Sequence, residues 1–170
     1  MTDQAEPSRY RLEPIAEHYE VSLFDCQHTY LNLFLREKAL AETRSGGYSL
    51  TFALLDISSS PAFVAGYFML RADSYYVNAN QGASSIPVVE LVCLARDITR
   101  RGQGIGDILL MEALRNVKEA AERIGIAGLH LAYTDEGKKL YDRYQFGKHP
   151  LSYRTDLLFL PNQRYPPNRL

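Results

Sequence analysis

The chain has 170 residues, of which 46% are hydrophobic and 23% charged, so it is long enough for one core and too short for two comfortable domains. Its formal net charge of −1 and its pI near 6.4 exclude a strongly basic domain that attracts nucleic acid over its whole surface. Two cysteines are too few for a disulfide framework. We therefore predict one domain over residues 1–160 and an irregular tail over 161–170, which carries Pro161, Pro166 and Pro167.

The N-terminal segment has neither a basic start nor an apolar stretch, and no apolar run elsewhere reaches the length of a membrane span. We therefore expect a cytoplasmic protein that is neither secreted nor inserted in a membrane. The histidines and cysteines have no spacing typical of a metal site. No metal is predicted.

Hydrophobic periodicity and turn residues predict an alternation of strands and helices. In chain order the predicted elements are a strand through Tyr10 and Leu12 that ends at Pro14, a helix over 28–43 that Gly46-Gly47 stops, strands over 48–56, 62–71 and 86–95, a helix over 105–124 that ends at Gly125, a strand over 126–133, a short helix capped by Asp135, and a last strand over 153–160. The segment over 73–85 carries Tyr75, Tyr76 and small polar residues, which predicts a loop or edge strand bordering a cleft. These elements predict a single α/β domain.

A glycine-rich run, Arg101-Gly102-Gln103-Gly104-Ile105-Gly106, lies between the predicted strand over 86–95 and the long helix. Glycines at alternate positions remove the Cβ atoms that would keep a ligand from the backbone, so the amide groups at the helix start can point at an anion. The helix dipole adds about half a positive charge there. Arg96, Arg100 and Arg101 outnumber Asp97 beside the loop. This arrangement predicts a phosphorylated cofactor.

Other glycine-rich loops match less well. A dinucleotide-binding fingerprint places its glycines in the first βα unit, whereas here they stand late in the chain. A Walker A loop has a lysine after its last glycine, and Asp107 occupies that position. An ordinary glycine-rich turn between a strand and a helix stays open as an alternative.

The pattern R-x-x-G-x-G, formed by Arg101, Gly104 and Gly106, resembles the pyrophosphate-binding signature of the GCN5-related N-acetyltransferase (GNAT) family. Residues 91–97 resemble the fourth strand of that family, and residues 141–146 resemble its closing Y-x-x-x-x-F helix end, so the resemblance covers about residues 48–150. It implies a GNAT-like α/β (α+β) domain whose mixed central sheet of six or seven strands is flanked by helices. It also implies acetyl-CoA as cofactor and direct acetyl transfer to a primary amine.

The segment Phe24-Asp25-Cys26 and the segment over 31–35, Leu-Asn-Leu-Phe-Leu, resemble the toxin branch of that family, whose members acetylate aminoacyl-tRNA. This resemblance implies charged tRNA as acceptor and an antitoxin protein as partner, and it leaves a homodimer open. Two features differ from the toxin pattern: Gln27 replaces a glycine, and no cation lies between Arg71 and Arg96. A small-molecule or peptide amine therefore stays open as the acceptor, as does a non-catalytic acyl-CoA-binding module.

Acetyl transfer from a thioester needs a proton for the departing thiolate, and Tyr141 is the predicted general acid. A phenol with a pKa of about 10 is protonated at neutral pH, and the family resemblance points to the same residue. Glu90 on the central strand is the predicted base, with an ion pair as its alternative role. The resemblance further implies that the backbone at Leu94 and Ala95 holds the coenzyme arm and polarises the acetyl carbonyl. The full set of predicted cofactor-binding residues is Leu94, Ala95, Arg96, Arg101, Gly102, Gln103, Gly104, Ile105 and Gly106.

Two further roles are weighed against packing. Cys93 as a covalent acetyl carrier, with His28 or His130 as its partner, is one interpretation, and a buried strand cysteine is the favoured one. The tyrosines Tyr67, Tyr75 and Tyr76 are candidates either for an acceptor pocket or for plain sheet packing.

Overall fold

Within the described residues the sheet contains six strands, and one break in their pairing positions the candidate site. The structure is a computed structural model that describes residues 9–79, 82–144, 146 and 157–159. The strands are β1 (Tyr10–Pro14), β2 (Ser49–Asp56), β3 (Phe63–Ala79), β4 (Gly82–Arg96), β5 (Leu129–Leu131) and β6 (Leu157–Phe159). The helices are α1 (Thr29–Leu33), a π-helical segment (Phe34–Lys38), α2 (Ala39–Arg44), a 3-10 turn (Ile98–Arg100), α3 (Ile105–Ile124) and α4 (Asp135–Arg143).

The strands lie in the order β1-β2-β3-β4-β5-β6. All neighbours are antiparallel except β4 and β5, which are parallel. A parallel pair needs a crossover connection, and α3 supplies it. The predicted mixed sheet flanked by helices is therefore confirmed.

Each face of the sheet buries a separate apolar cluster. On one face, the stripe of α3 that includes Leu109 and Val117 packs against residues such as Phe68 and Leu129. On the other face, Phe34 and the residues around it pack against alternate residues of the same strands. The alternation of side chains along each strand thus decides which residues face α3 and which face the N-terminal helices.

The segment over 73–85 was predicted as a loop or an edge strand, and its described residues are strand. Strands β3 and β4 continue as one long hairpin whose register extends to the pair Ala79–Gly82. Aromatic and β-branched residues favour strands, and Tyr75 is fully buried in a small cluster with Ile86 and Val88. This packing keeps the hairpin extended.

Other boundaries differ by a few residues. The predicted helix over 28–43 contains the π-helical segment, which the sequence did not indicate. Asp135 is not the cap of α4, because the Thr134 hydroxyl accepts from the Gly137 N–H at 3.3 Å. Strand β5 is shorter than predicted, and only three residues of the predicted last strand are described. The predicted tail over 161–170 lies outside the described residues.

Asp97 joins the end of β4 to the N-terminal part of the chain. Its carboxylate is 1% exposed and accepts the Thr99 N–H at 2.8 Å and the Asp25 N–H at 3.0 Å. Asn32 in turn accepts the Cys26 N–H at 2.9 Å and donates to Asp25 at 2.8 Å. The segment from Asp25 to Gln27 is therefore a turn that is hydrogen-bonded to Asn32, and Asp97 attaches it to the end of β4 in front of the glycine loop.

Gln27, in that turn, has a φ of 63°, which costs a residue with a Cβ atom about 1 kcal/mol relative to glycine. We expect Gln27→Gly to raise the free energy of unfolding by about 0.5–1 kcal/mol, measured by urea denaturation. Gln27→Ala is the matched control, because alanine keeps the Cβ atom and should give no gain. An equal gain in both variants would show that the Gln27 side chain, and not the backbone, is responsible.

Candidate active site

The glycine loop has a backbone that favours glycine at two of its three positions. Gly102 and Gly104 have φ angles of 78° and 72°, in the left-handed region that side chains disfavour. No atom lies within 4 Å of a Cβ built at either residue, so crowding is not the reason for these glycines. Gly106 differs, because it lies in helix α3 and a Cβ there would meet only Leu140 Cδ2, at 3.6 Å. The fold itself therefore does not require a glycine at 106.

The backbone N–H groups at the start of α3 have no partner inside the helix. The Ile108 N–H donates to the Gly104 carbonyl at 3.1 Å, so the N–H groups of Gly104, Ile105, Gly106 and Asp107 precede the first bond of the helix. The loop over 101–104 is exposed, whereas the Ile105 side chain is buried beneath it. This geometry is suited to binding a phosphate.

The three arginines near the loop have different roles. Arg100 lies 3.0 Å from the fully buried carboxylate of Asp56, and its guanidinium also lies over the Phe63 ring. Within the described part of the chain, Arg96 and Arg101 form no ion pair. The prediction that Arg100 adds positive charge to the ligand site is therefore wrong, because its charge is paired with Asp56. The positive charge beside the loop comes from Arg96 and Arg101.

Strands β4 and β5 separate in front of the glycine loop. Their pairing comprises Val89–Leu129 and Glu90–His130. Cys93 then pairs with Met69 on β3 and Leu91 with Leu70, so Val92 is an extra residue in β4 and forms a β-bulge. Beyond it, β4 keeps its partner β3 and has no described partner on the side of β5.

The gap exposes the backbone of Leu94. The Asp97 N–H donates to the Ala65 carbonyl on β3 at 2.9 Å. Because alternate residues of a strand direct their N–H and C=O groups to opposite neighbours, Leu94 and Arg96 direct theirs toward the gap, and Ala95 directs its own toward β3. A ligand that extends from the glycine loop along β4 therefore meets the backbone of Leu94.

Tyr141 packs beside this gap. Its side chain is 8% exposed, its ring lies 5.6 Å from the Phe146 ring, and none of the described residues forms a hydrogen bond with its hydroxyl. Burial, with a smaller effect from Cys93 on β4, raises the pKa of Tyr141 to about 12. The phenol is thus protonated throughout the neutral range and can donate a proton.

Glu90 forms an ion pair, which was the alternative to its predicted role as a base. Its Oε2 accepts from Arg71 Nε at 3.0 Å and from Arg71 Nη2 at 2.5 Å. No described residue donates to its Oε1. Glu90 lies four residues before Leu94, so the structure places it on the strand that borders the gap.

The remaining candidates have structural contacts. Burial raises the pKa of the Cys93 thiol to about 12, which leaves it protonated and a poor nucleophile. Tyr67 is fully buried and donates to the Leu31 carbonyl at 2.9 Å, so it packs in the sheet, as does Tyr75. The side chain of Tyr76 lies outside the described part of the chain.

The structure also brings together Asp73 and His130, neither of which the sequence predicted as a site residue. His130 Nε2 lies 2.9 Å from Asp73 Oδ2, across 57 positions of sequence. Local patterns do not show a contact of this range. It would have been indicated by the alternation of side chains along β3, β4 and β5, had the order of these three strands been known.

The chain is similar to several toxins, one of which is described as acetylating tRNA. The tRNA-acetylating toxin of Mycobacterium tuberculosis is 29% identical over 153 residues, which cover 86% of this chain and 87% of that protein. A tyrosine-to-phenylalanine mutant of the AtaT toxin, bound to the C-terminus of the antitoxin AtaR and to acetyl-CoA, has a TM-score of 0.77 and 26% identity, over 90% of this chain and 94% of that one. AtaT complexed with acetyl-methionyl-tRNAfMet has a TM-score of 0.75 and 24% identity, over 89% and 94%.

No family model matches the chain. The likeness to these proteins nevertheless confirms the predicted fold and the predicted resemblance to the GNAT family and its toxin branch. None of the helices described is both long and apolar enough to cross a membrane.

Gly106→Ala separates the needs of the fold from those of a ligand. We expect the free energy of unfolding to rise by up to about 1 kcal/mol, because alanine is the better helix former and its Cβ has room. The affinity for acetyl-CoA should fall about tenfold or more, because the Cβ blocks the approach of a phosphate. Isothermal titration calorimetry and thermal unfolding measure the two effects. Gly102→Ala is the comparison variant, since the positive φ at residue 102 should lower stability as well. Unchanged acetyl-CoA affinity in Gly106→Ala would contradict phosphate binding at the start of α3.

Proposed function

We propose that this chain, which resembles the GNAT toxins, is an acetyl-CoA-dependent N-acetyltransferase that acetylates the α-amine of an aminoacyl-tRNA. We propose further that an antitoxin holds it in check, and that it acts in the cytoplasm through one domain over residues 1–160. The observation that carries the proposal is the separation of β4 and β5 beside Tyr141 and in front of the glycine loop. An extended thioester-bearing ligand fits that geometry.

The chain's own groups suit each part of the coenzyme. The N–H groups at Gly104, Ile105 and Gly106 bind the diphosphate, and Arg101 adds positive charge beside it. The unpaired backbone of Leu94 hydrogen-bonds the extended arm as a neighbouring strand would. An N–H group from the same stretch polarises the acetyl carbonyl, where negative charge develops. These are main-chain roles, so the side chain of Leu94 serves mainly in packing. The backbone of Ala95 is directed to β3, so the expected contact of Ala95 with the coenzyme arm is not retained.

Transfer is direct. The amine nitrogen attacks the thioester carbon, the C–N bond forms, and the C–S bond breaks as Tyr141 donates its proton to the sulfur. The proton that the new amide nitrogen loses then returns to the phenolate. Cys93 takes no part, because its thiol is protonated.

The site favours an amine that is already partly neutral. An α-amino group with a pKa near 8 is about a tenth neutral at pH 7, whereas a lysine amine is less than about a thousandth neutral. Glu90 Oε2 is engaged in the ion pair with Arg71, so we assign Glu90 no role as a base. An α-amine acceptor, such as the one that charged tRNA carries, fits this site.

The lack of cations between Arg71 and Arg96 favours a second candidate acceptor, a small-molecule or peptide amine, because phosphate contacts supply much of the affinity for RNA.

Tyr141→Phe tests the mechanism. We expect kcat to fall by about 10²- to 10⁴-fold, the usual contribution of a general acid, with acetyl-CoA affinity nearly unchanged. Because the pKa is raised to about 12, the wild-type rate should show no loss from deprotonation of Tyr141 up to pH 9. Tyr144→Phe is the matched control on the same helix, since Tyr144 donates to Asp107 instead. Unchanged turnover in Tyr141→Phe would remove this residue from the mechanism.

The acceptor is tested with radiolabelled acetyl-CoA. We expect label on bulk charged tRNA and none on tRNA that has been deacylated first, because only the charged form carries the α-amine. A library of small amines and peptides is the parallel arm. Label confined to that arm would establish the second candidate acceptor, and binding of acetyl-CoA with no transfer in either arm would indicate a non-catalytic module. Growth arrest on expression, relieved by a neighbouring small DNA-binding protein, checks the toxin role.

A further inference from the structure

Three polar side chains meet on one face of the sheet, just before the gap opens. Asp73, Glu90 and His130 belong to β3, β4 and β5, and their ligand atoms all lie within 4.8 Å of one another. The register explains the meeting, since Glu90 pairs with His130 on one side and with Arg71 on the other. Arg71 and Asp73 are two residues apart and so share a face.

The three side chains differ in their access to solvent. His130 is 3% exposed and lies beneath Asp73, which is 34% exposed and accepts from His130 Nε2 at 2.9 Å. Glu90 is 22% exposed. A surface depression of about 420 Å³ has Arg71, the ion-pair partner of Glu90, in its lining. A ligand from solvent therefore reaches the carboxylates but not the imidazole.

The charges of these side chains favour a ligand with one positive charge. The two carboxylates and the Arg71 guanidinium sum to one negative charge when His130 is neutral. Arg71 lies 2.5 Å from Glu90 and would repel a divalent metal ion strongly, since repulsion scales with charge. A monovalent ammonium group, whose N–H bonds spread over two carboxylates, meets much less repulsion.

The subsite lies within reach of the gap. Glu90 is the last residue of β4 paired with β5, and Val92, where the strands separate, lies two residues on. At about 3.3 Å per residue this is roughly 6–7 Å along the strand. A coenzyme arm that extends along β4 from Leu94 toward Val92 therefore brings its reactive end toward a group held by Glu90 and Asp73.

We propose that Asp73 and Glu90 form the subsite that holds the acceptor's α-amino group, with His130 as the positioning residue that orients Asp73. This inference rests on the proposed function and names the contact that function needs. The protonated amine docks by charge. After it loses one proton to solvent water, its two remaining N–H groups donate to the two carboxylates and its lone pair is left for the thioester carbon. A hydroxyl group has one hydrogen and no charge, so the subsite prefers an amine to an alcohol.

Binding of alaninamide and of lactamide tests the subsite, because these ligands differ only in an amine and a hydroxyl. We expect wild-type protein to bind alaninamide at least about tenfold more tightly than lactamide, with a shift of the His130 ring signals in NMR. Asp73→Asn and Glu90→Gln should each lower alaninamide affinity about tenfold and leave lactamide unchanged. Ser74→Ala, on the neighbouring residue of β3, is the control and should behave as wild type.

Transfer kinetics complete the test. With charged tRNA as acceptor, Asp73→Asn should raise KM for the acceptor about tenfold while acetyl-CoA affinity stays at the wild-type value. His130→Gln, whose amide can still donate to Asp73, should lose less than His130→Ala. Equal binding of the two amides by wild type, or unchanged alaninamide affinity in both carboxylate variants, would overturn the subsite. Alaninamide binding without transfer to any acceptor would support the subsite and refute the proposed function instead.

Discussion

The candidate site depends on the loss of pairing between β4 and β5 after the pair Glu90–His130. A strand inside a sheet normally has partners on both sides, because unpaired buried N–H and C=O groups are costly. Here β3 holds one side of β4 through Arg96, whereas the other side opens at the bulge around Val92. The gap thus provides a ready partner position for an extended ligand, and it sets where the ligand's reactive end lies relative to residues on either strand.

The features that the sequence predicted are local ones. The glycine loop and the bounds of α3, residues 105–124, follow from periodicity and from Gly104 and Gly125, whose positive φ angles mark both ends of the helix. The fold and the toxin resemblance follow from motifs of a few consecutive residues. Each of these depends on neighbours in the chain, whose influence on backbone and helix geometry is direct.

The features that the sequence missed depend on distant partners. The choice between a loop and an edge strand for residues 73–79 depends on pairing with β4 and on the burial of Tyr75, which the small polar residues of this segment do not indicate. The role of Arg100 follows from a buried carboxylate at Asp56, 44 positions away. His130 was indistinguishable from a core histidine until β3, β4 and β5 were adjacent, because its contact with Asp73 spans three strands.

Burial raises the pKa of both Tyr141 and Cys93, and this favours direct transfer. It raises the pKa of Tyr141 and that of Cys93 to about 12, so the first can serve as an acid and the second cannot serve as a nucleophile at neutral pH. Glu90 Oε2 is engaged with Arg71. Because no residue is assigned to deprotonate the amine, the site favours an amine that ionises near neutral pH, whose unprotonated fraction is supplied by the acceptor itself. The choice of acceptor is therefore set by the acceptor's own pKa as much as by the shape of the pocket.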